Sequence, residues 1–397
     1  MIILSTILLS GQWAASKPTC ETLFEDPALA SGADFGTLRA NFEHSTKYSH
    51  ELGRAGDIKD QCALGTCHLY SWSSSLEQSY SSRTNSKIAL SAKHLTVIHW
   101  ADTAYRALKS EDPTEKIMLG ATASFSRFQV RRAGLVPESV WKPARDFDKP
   151  PLSTRLQTYV QNVIDRAKFE MKSTSDTAKK GAILQKAMMD VEIIFHDAVG
   201  DLPLKFVYEG KEYTPQTFAR TFFPELYKPI VAMRIDGDRE AGDVHTKVND
   251  GFLVVMTSVD RAEKTVRDLL DQGKAVYLSY EHEATYVDKA TGIMSISAFH
   301  FPTNARPLSR RQREWSERSG GGHAVQIVGY DLDPATGKIL KFKIKNSWGE
   351  GVGDKGYYHM YRDYFRTYAT GVTFYQDAGI NLAKPVYVVP VQQDFDF

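Results

Sequence analysis

The sequence predicts an α+β protein, and three observations carry that prediction. Helical periodicity fills the first half, short apolar strands gather in the last third, and no strand–helix alternation of the doubly wound kind runs through the chain. With 397 residues, 42% apolar and 24% charged, the chain is long enough for one large domain or two ordinary ones. Its 49 Lys and Arg nearly balance 48 Asp and Glu, so no global field attracts nucleic acid or an anionic membrane, and neither is expected as a partner. Three cysteines, Cys20, Cys62 and Cys67, are too few for a disulfide scaffold.

The elements follow in order. Residues 1–16 hold a short apolar run and then Ala14-Ala15-Ser16, the pattern of a secretory signal cleaved after Ser16. That reading makes the protein secreted or periplasmic; a buried N-terminal strand in a cytoplasmic protein is the competing one. The run is too short to span a bilayer, and no other stretch resembles a membrane span. Residues 17–54 read as an irregular, polar arm. From Cys67 to about Tyr80, Leu69, Trp72 and Leu76 recur at helical spacing without Gly or Pro. A second helix opens at Ser91 as N-cap, and a third, "ATASFSRFQVRRAG", stops at Gly134.

Residues 151–200 are strongly helical, with a polar break at "STSDTAKKG". "LKFVYEGKEY" has hairpin character with Gly210 at its turn, and Thr214 with Pro215 reopens a helix. "VDRAEKTVRDLLDQG" is another helix, closed by Gly273. "KAVYLSYE", "HAVQIVGY", "ILKFKIKNSW" and "KGYYHMY" are strands. The chain has no internal repeat and no low-complexity tract.

Chemistry-bearing residues collect at two places. In "HAVQIVGYDLDPATGKILKFKIKNSW", two apolar runs flank a turn signal. A hairpin centred on Pro334–Ala335 places His323 opposite Asn346, where antiparallel partners lie about 5 Å apart. An Asn oxygen that accepts from one imidazole N–H leaves the other ring nitrogen free as a base. In "DQCALGTCHLYSW", Cys67 opens a predicted helix, where positive potential and a nearby imidazolium lower a thiol pKa. Gln61 can join the Cys67 backbone N–H as an oxyanion hole, and Gly65 allows the tight turn between them.

With Gln61, Cys67, His323 and Asn346 in this order, the sequence resembles the papain-like cysteine peptidases. The features "Q…G-x-C", "NSWGEGVGDKGYYHM", "YTPQTFARTFF", "LDQGKAVYLSYE" and "GIMS" point to the branch of bleomycin hydrolase and bacterial aminopeptidase C. The resemblance covers roughly residues 55–376 and implies a two-lobed fold with a helical insertion at about 145–250. A helical left lobe would carry Cys67, and a β-rich right lobe His323 and Asn346. It implies a Cys-His-Asn peptidase acting on peptides or proteins without cofactor, with Trp348 shielding the His–Asn bond. By the same resemblance, residues 377–397 form a tail whose carboxylate would meet a substrate amine, giving aminopeptidase action, although "VYVVPV" suits an edge strand equally well. The branch also implies an oligomer.

Two departures stand out. His68 occupies the position where the family has Trp, and 256 residues separate Cys67 from His323. A catalytically silent, peptide-binding relative is therefore the alternative. Cys62, Cys67 and His68 have no second ligand pair for a zinc site, so no metal is expected. If the signal is cleaved, Cys20 and Cys62 either form one bridge or remain two free thiols.

Overall fold

The structure is a computed structural model. It describes residues 37–53, 56–112, 114–235, 244–248, 252–300 and 322–376. The expected signal, Cys20 and the tail at 377–397 lie outside those residues.

Helices α1 (Cys67–Thr84), α2 (Ala92–Lys109), α3 (Ala123–Ala133), α4 (Leu152–Lys172), α5 (Thr177–Val199) and α6 (Pro215–Phe222) build one side of the molecule. Local chemistry starts and stops them as expected. The Ser91 hydroxyl accepts from the His94 N–H at 3.2 Å, and Thr122 caps α3 likewise. Thr214 and Thr217 form a reciprocal capping box with Pro215 in the first turn of α6. α4 and α5 pack as an antiparallel pair, with Asp176 capping α5 across the polar break. The apolar faces meet in a helical core around Trp100, Leu95, Val160, Ile164 and Phe218, all buried.

The first strands are marginal: β1 (Thr37–Leu38) and β2 (His50–Glu51) belong to the arm, and β3 (Phe206–Tyr208) with β4 (Lys211–Tyr213) makes the expected small hairpin. The large sheet adds β5 (Ile230–Ile235), β6 (Val244–Val248), β7 (Phe252–Thr257), β8 (Val276–Glu281) and β9 (Ile293–Met294). After β10 (Phe299–His300), which pairs with β1, come β11 (Gly322–Leu332), β12 (Ile339–Lys345), β13 (Tyr357–Tyr361) and β14 (Ala369–Tyr375). Its order is β6-β7-β5-β14-β8-β11-β12-β13-β9, with β2 added beside β11. Helices α7 (Val259–Asp271) and α8 (Arg362–Tyr368) cover it, and a second core forms around Val266, Leu278, Phe342, Met360 and Tyr364.

The structure corrects two expectations. The stretch at 145–250 is not helical throughout: its last part supplies β5 and β6, with β5 parallel to β7. "PIVAMRI" and "GFLVVMT" are short, continuous apolar runs bounded by Pro229 and Gly251, a buried-strand pattern with no alternation to mark it. The β11–β12 register also differs. Tyr330 faces Phe342 and Gln326 faces Lys345, so His323 lies beyond the end of the ladder rather than opposite Asn346. The Asp333 carboxylate accepts from the Ala335 N–H at 2.8 Å and widens the turn, and the ladder shifts twice, at Ile327/Gly329 and Asp331/Leu332.

Candidate active site

α1 is the element that joins the two cores. The Ser71 hydroxyl donates to the Val325 carbonyl at 2.9 Å, and the Gln326 amide reaches the Ser74 carbonyl at 3.3 Å, so α1 is bonded along β11. Between the cores lies a small cluster of Trp72, Ala123, Ile230, Tyr277 and Ala324, and Cys67 packs against it. The first residue of α1 is thereby set beside Ala324, the residue after His323.

The segment before α1 is held by a buried ion pair. Lys59 meets Glu77 of α1 at 2.9 Å, while Glu77 also accepts from the Leu90 N–H at 2.8 Å. Gly65 then takes φ +67°, and a Cβ there would come within 2.9 Å of the Leu119 Cβ. Both facts demand glycine. Cys62 is buried and disulfide-bonded, and Cys67 is the free cysteine among the described residues. Cys20, which the sequence offers as one alternative partner for Cys62, lies outside those residues.

His323 and Asn346 meet despite the altered register. His323 Nε2 lies 2.8 Å from Asn346 Oδ1, and the same oxygen accepts the Ser347 N–H at 2.8 Å. A backbone donor aimed at that atom identifies it as the oxygen, so Nε2 must carry the proton and Nδ1 keeps its lone pair. Trp348 stacks on the imidazole at 4.6 Å between ring centroids with the planes 24° apart. Both flanks of the His–Asn bond are buried: His323 is 7% exposed and Asn346 3%.

Gln61 is tied to the same loop. Its N–H donates to the Ser347 carbonyl at 2.8 Å, and its Oε1 accepts from the Ser347 hydroxyl at 2.7 Å. Its Nε2 hydrogens are therefore turned away from Ser347. Sequence reasoning missed Ser347, which fixes Gln61 with its hydroxyl and Asn346 with its amide. It also missed His282, at the end of β8, which meets Trp348 edge-on at 4.9 Å. A histidine ending the strand "VYLSYEH" was the signal that could have found it.

The electrostatics differ from expectation at the thiol. Burial pushes the Cys67 thiol above its ordinary value, partly offset by the backbone N–H groups of Ala324, His68 and Cys67 itself. Burial likewise lowers His323 to about 4, against the opposing Asn346 hydrogen bond. Desolvation disfavours each charge singly, so a thiolate and an imidazolium there are each better stabilised beside an opposite charge than alone. His68, the sequence neighbour of Cys67, faces away. Its Nε2 lies 3.1 Å from the Leu119 carbonyl and its Nδ1 2.7 Å from the Ser126 hydroxyl, inside the helical core. No cluster of three metal-ligating side chains occurs among the described residues.

The Peptidase C1-like family model matches residues 243–380, the part that holds His323 and Asn346. Cysteine proteinase 1, mitochondrial, of Saccharomyces cerevisiae is 31% identical over 122 residues, which is 30% of this chain and 25% of that protein. Aminopeptidase W of Lactobacillus delbrueckii subsp. lactis is 24% identical over 49% of this chain and 48% of its own length. The chain thus spans a quarter to a half of the curated relatives it matches. Among solved structures, PepW from Lactobacillus rhamnosis superposes with a TM-score of 0.66 at 18% identity, covering 84% of this chain and 83% of that one. The fold is papain-like. No described helix is long and apolar enough to cross a membrane.

Proposed function

We propose that this protein is a cysteine peptidase that cleaves peptide bonds through an acyl-enzyme on Cys67. The observation that carries the reading is the His323–Asn346 bond of 2.8 Å under Trp348, with Cys67 packed beside Ala324. Nδ1 of His323 takes the Sγ proton as sulfur attacks the substrate carbonyl, so the two charges form together and each stabilises the other. The carbonyl oxygen, becoming an oxyanion, accepts from the Cys67 N–H and the Gln61 Nε2–H. His323 then returns the proton to the leaving amine, and a water deprotonated by the same imidazole hydrolyses the thioester. Nε2 keeps its hydrogen on Asn346 throughout, which holds the ring in one orientation.

An aminopeptidase is the finer reading, supported by relatives named aminopeptidase W and aminopeptidase G. Iodoacetamide should label Cys67 and abolish hydrolysis of aminoacyl fluorogenic amides, and Cys67→Ala should be inactive. Turnover that persists in Cys67→Ala overturns the mechanism. An intact protein that binds peptides without cleaving them establishes the silent binding relative instead. Free peptides should outpace their N-acetylated forms; equal rates would make the enzyme an endopeptidase.

A further inference from the structure

Trp348 and His323 do not form an isolated stack; they belong to a closed ring of four side chains. Tyr280 of β8 stands opposite His323 of β11 in the ladder, so both side chains lie on one face of the sheet. Their rings are 5.7 Å apart with the planes at 73°. His282, two residues further on, meets Tyr280 at 5.9 Å and 69°, and Trp348 at 4.9 Å and 89°. The stack of Trp348 on His323 closes the ring, and His282 lies 6.2 Å from His323 across it.

One corner of this ring is anchored. Tyr280 is 2% exposed and set in the second core, with Tyr364 at 6.2 Å. Its hydroxyl lies 3.2 Å from His282 Nδ1. Burial first, then His323 and Lys289, lower His282 to about 3, so at neutral pH its ring is uncharged. Nδ1 is the partner that the described residues give the Tyr280 hydroxyl. The phenol hydrogen therefore goes to Nδ1, and the ring's own hydrogen sits on Nε2. That bond limits how far His282 can turn, and edge-on ring contacts are directional. The Trp348 indole is thus met edge-on by two rings, His282 and Tyr358, the latter at 5.8 Å and 87°.

We infer that His282 is a positioning residue of the site: tied to Tyr280, it holds Trp348 on the His323 imidazole and so keeps that ring turned for proton exchange with Cys67. The chemistry rests on the peptidase reading; the ring of side chains does not. His282 acts through Trp348 rather than on the reacting atoms. A misplacement of about 1 Å can cost about 10²-fold in rate, so slack in Trp348 is visible in kcat.

Two measurements on the full chain test this. One is kcat for an aminoacyl fluorogenic amide, counted per Cys67 titrated with iodoacetamide, so that misfolded protein does not enter. The other is the second-order rate of Cys67 alkylation by iodoacetamide at neutral pH, which needs no turnover. His282→Ala should lower kcat by about ten- to a hundredfold with KM within about threefold, and slow alkylation as His323→Ala does. Tyr280→Phe and His282→Phe each remove the hydrogen bond and keep a ring in place, so each should lower kcat by about three- to tenfold. Together they should lose no more than either alone, because both remove the same bond. Two results overturn the inference: His282→Ala within about twofold of the parent in both measurements, or losses in the two Phe variants that multiply. A parent without turnover, whose alkylation still slows in His282→Ala, refutes the peptidase reading and supports the positioning role.

Discussion

His68 is one residue from Cys67 and His323 is 256 residues away, yet it is the strand of the distant histidine, at Ala324, that packs with Cys67. The difference lies in where each ring spends its hydrogen bonds. His323 commits one nitrogen to Asn346 and stacks one face on Trp348, so Nδ1 is left for chemistry. His68 commits both nitrogens to the helical core, to Leu119 and Ser126, and packs edge-on against His99 at 4.7 Å. His99 reaches the same Leu119 carbonyl at 2.9 Å, so two imidazoles pin the segment that closes over Gly65. One histidine keeps a ring nitrogen uncommitted, as the proposed proton transfer requires, and the other holds a wall.

Loss of His323 should break that contrast most sharply. On the proposed mechanism, His323→Ala lowers kcat for an aminoacyl amide by about 10²- to 10⁴-fold, the usual contribution of a general base. His68→Phe should leave kcat of the folded protein close to the parent value. Steady-state kinetics on both variants decides it: a comparable kcat loss in His68→Phe would make His68 part of the proton path. Gln61→Ala is the next largest effect. Removing one oxyanion donor should cost about 10²- to 10³-fold in kcat with KM little changed. An unchanged kcat would leave the Cys67 N–H as sufficient donor and remove Gln61 from the mechanism.

The same contrast explains what could be read before folding. The residue types at 61, 67, 323 and 346 were legible because their order and local spacing are sequence properties. Helix caps at Ser91 and Thr214 were legible for the same reason, since a cap acts within three residues. The His323–Asn346 contact was anticipated from a hairpin register that the structure does not adopt. Two ladder irregularities and the Asp333 turn shift the pairing, and Asn346 reaches His323 from the residue beyond β12. Bulges leave no mark in an apolar run such as "HAVQIVGY". Nor could the role of Ser347 be read, because it depends on a bridge between residues 60 and 348 that only tertiary packing creates. The thiol's direction of shift was misjudged for a related reason. A helix N-terminus is visible in sequence, whereas the burial that outweighs it is not.

The smallest effect separates the two histidines by protonation rather than by rate. Burial and the neighbouring His99 lower the His68 pKa to about 3 from an ordinary 6.5. Between those values the unfolded chain binds a proton at this position that the folded chain refuses. Stability from a neutral buried His68 is therefore full above about pH 6.5 and declines as the pH falls toward 3, by up to about 1.4 kcal/mol per pH unit. His68→Phe removes one of the two imidazoles on the Leu119 carbonyl and leaves the Ser126 hydroxyl with Thr122 alone, which should cost about 1–3 kcal/mol at pH 7.5. It also removes the proton debt. In urea titrations the parent and variant curves should converge between pH 6.5 and 4.5, because only the parent pays for keeping His68 neutral. Parallel curves would mean that His68 is charged when folded, donating from Nε2 to Leu119 and from Nδ1 to Ser126. The Ser126 hydroxyl, which also lies 2.7 Å from the Thr122 carbonyl, is the group whose proton decides between these states.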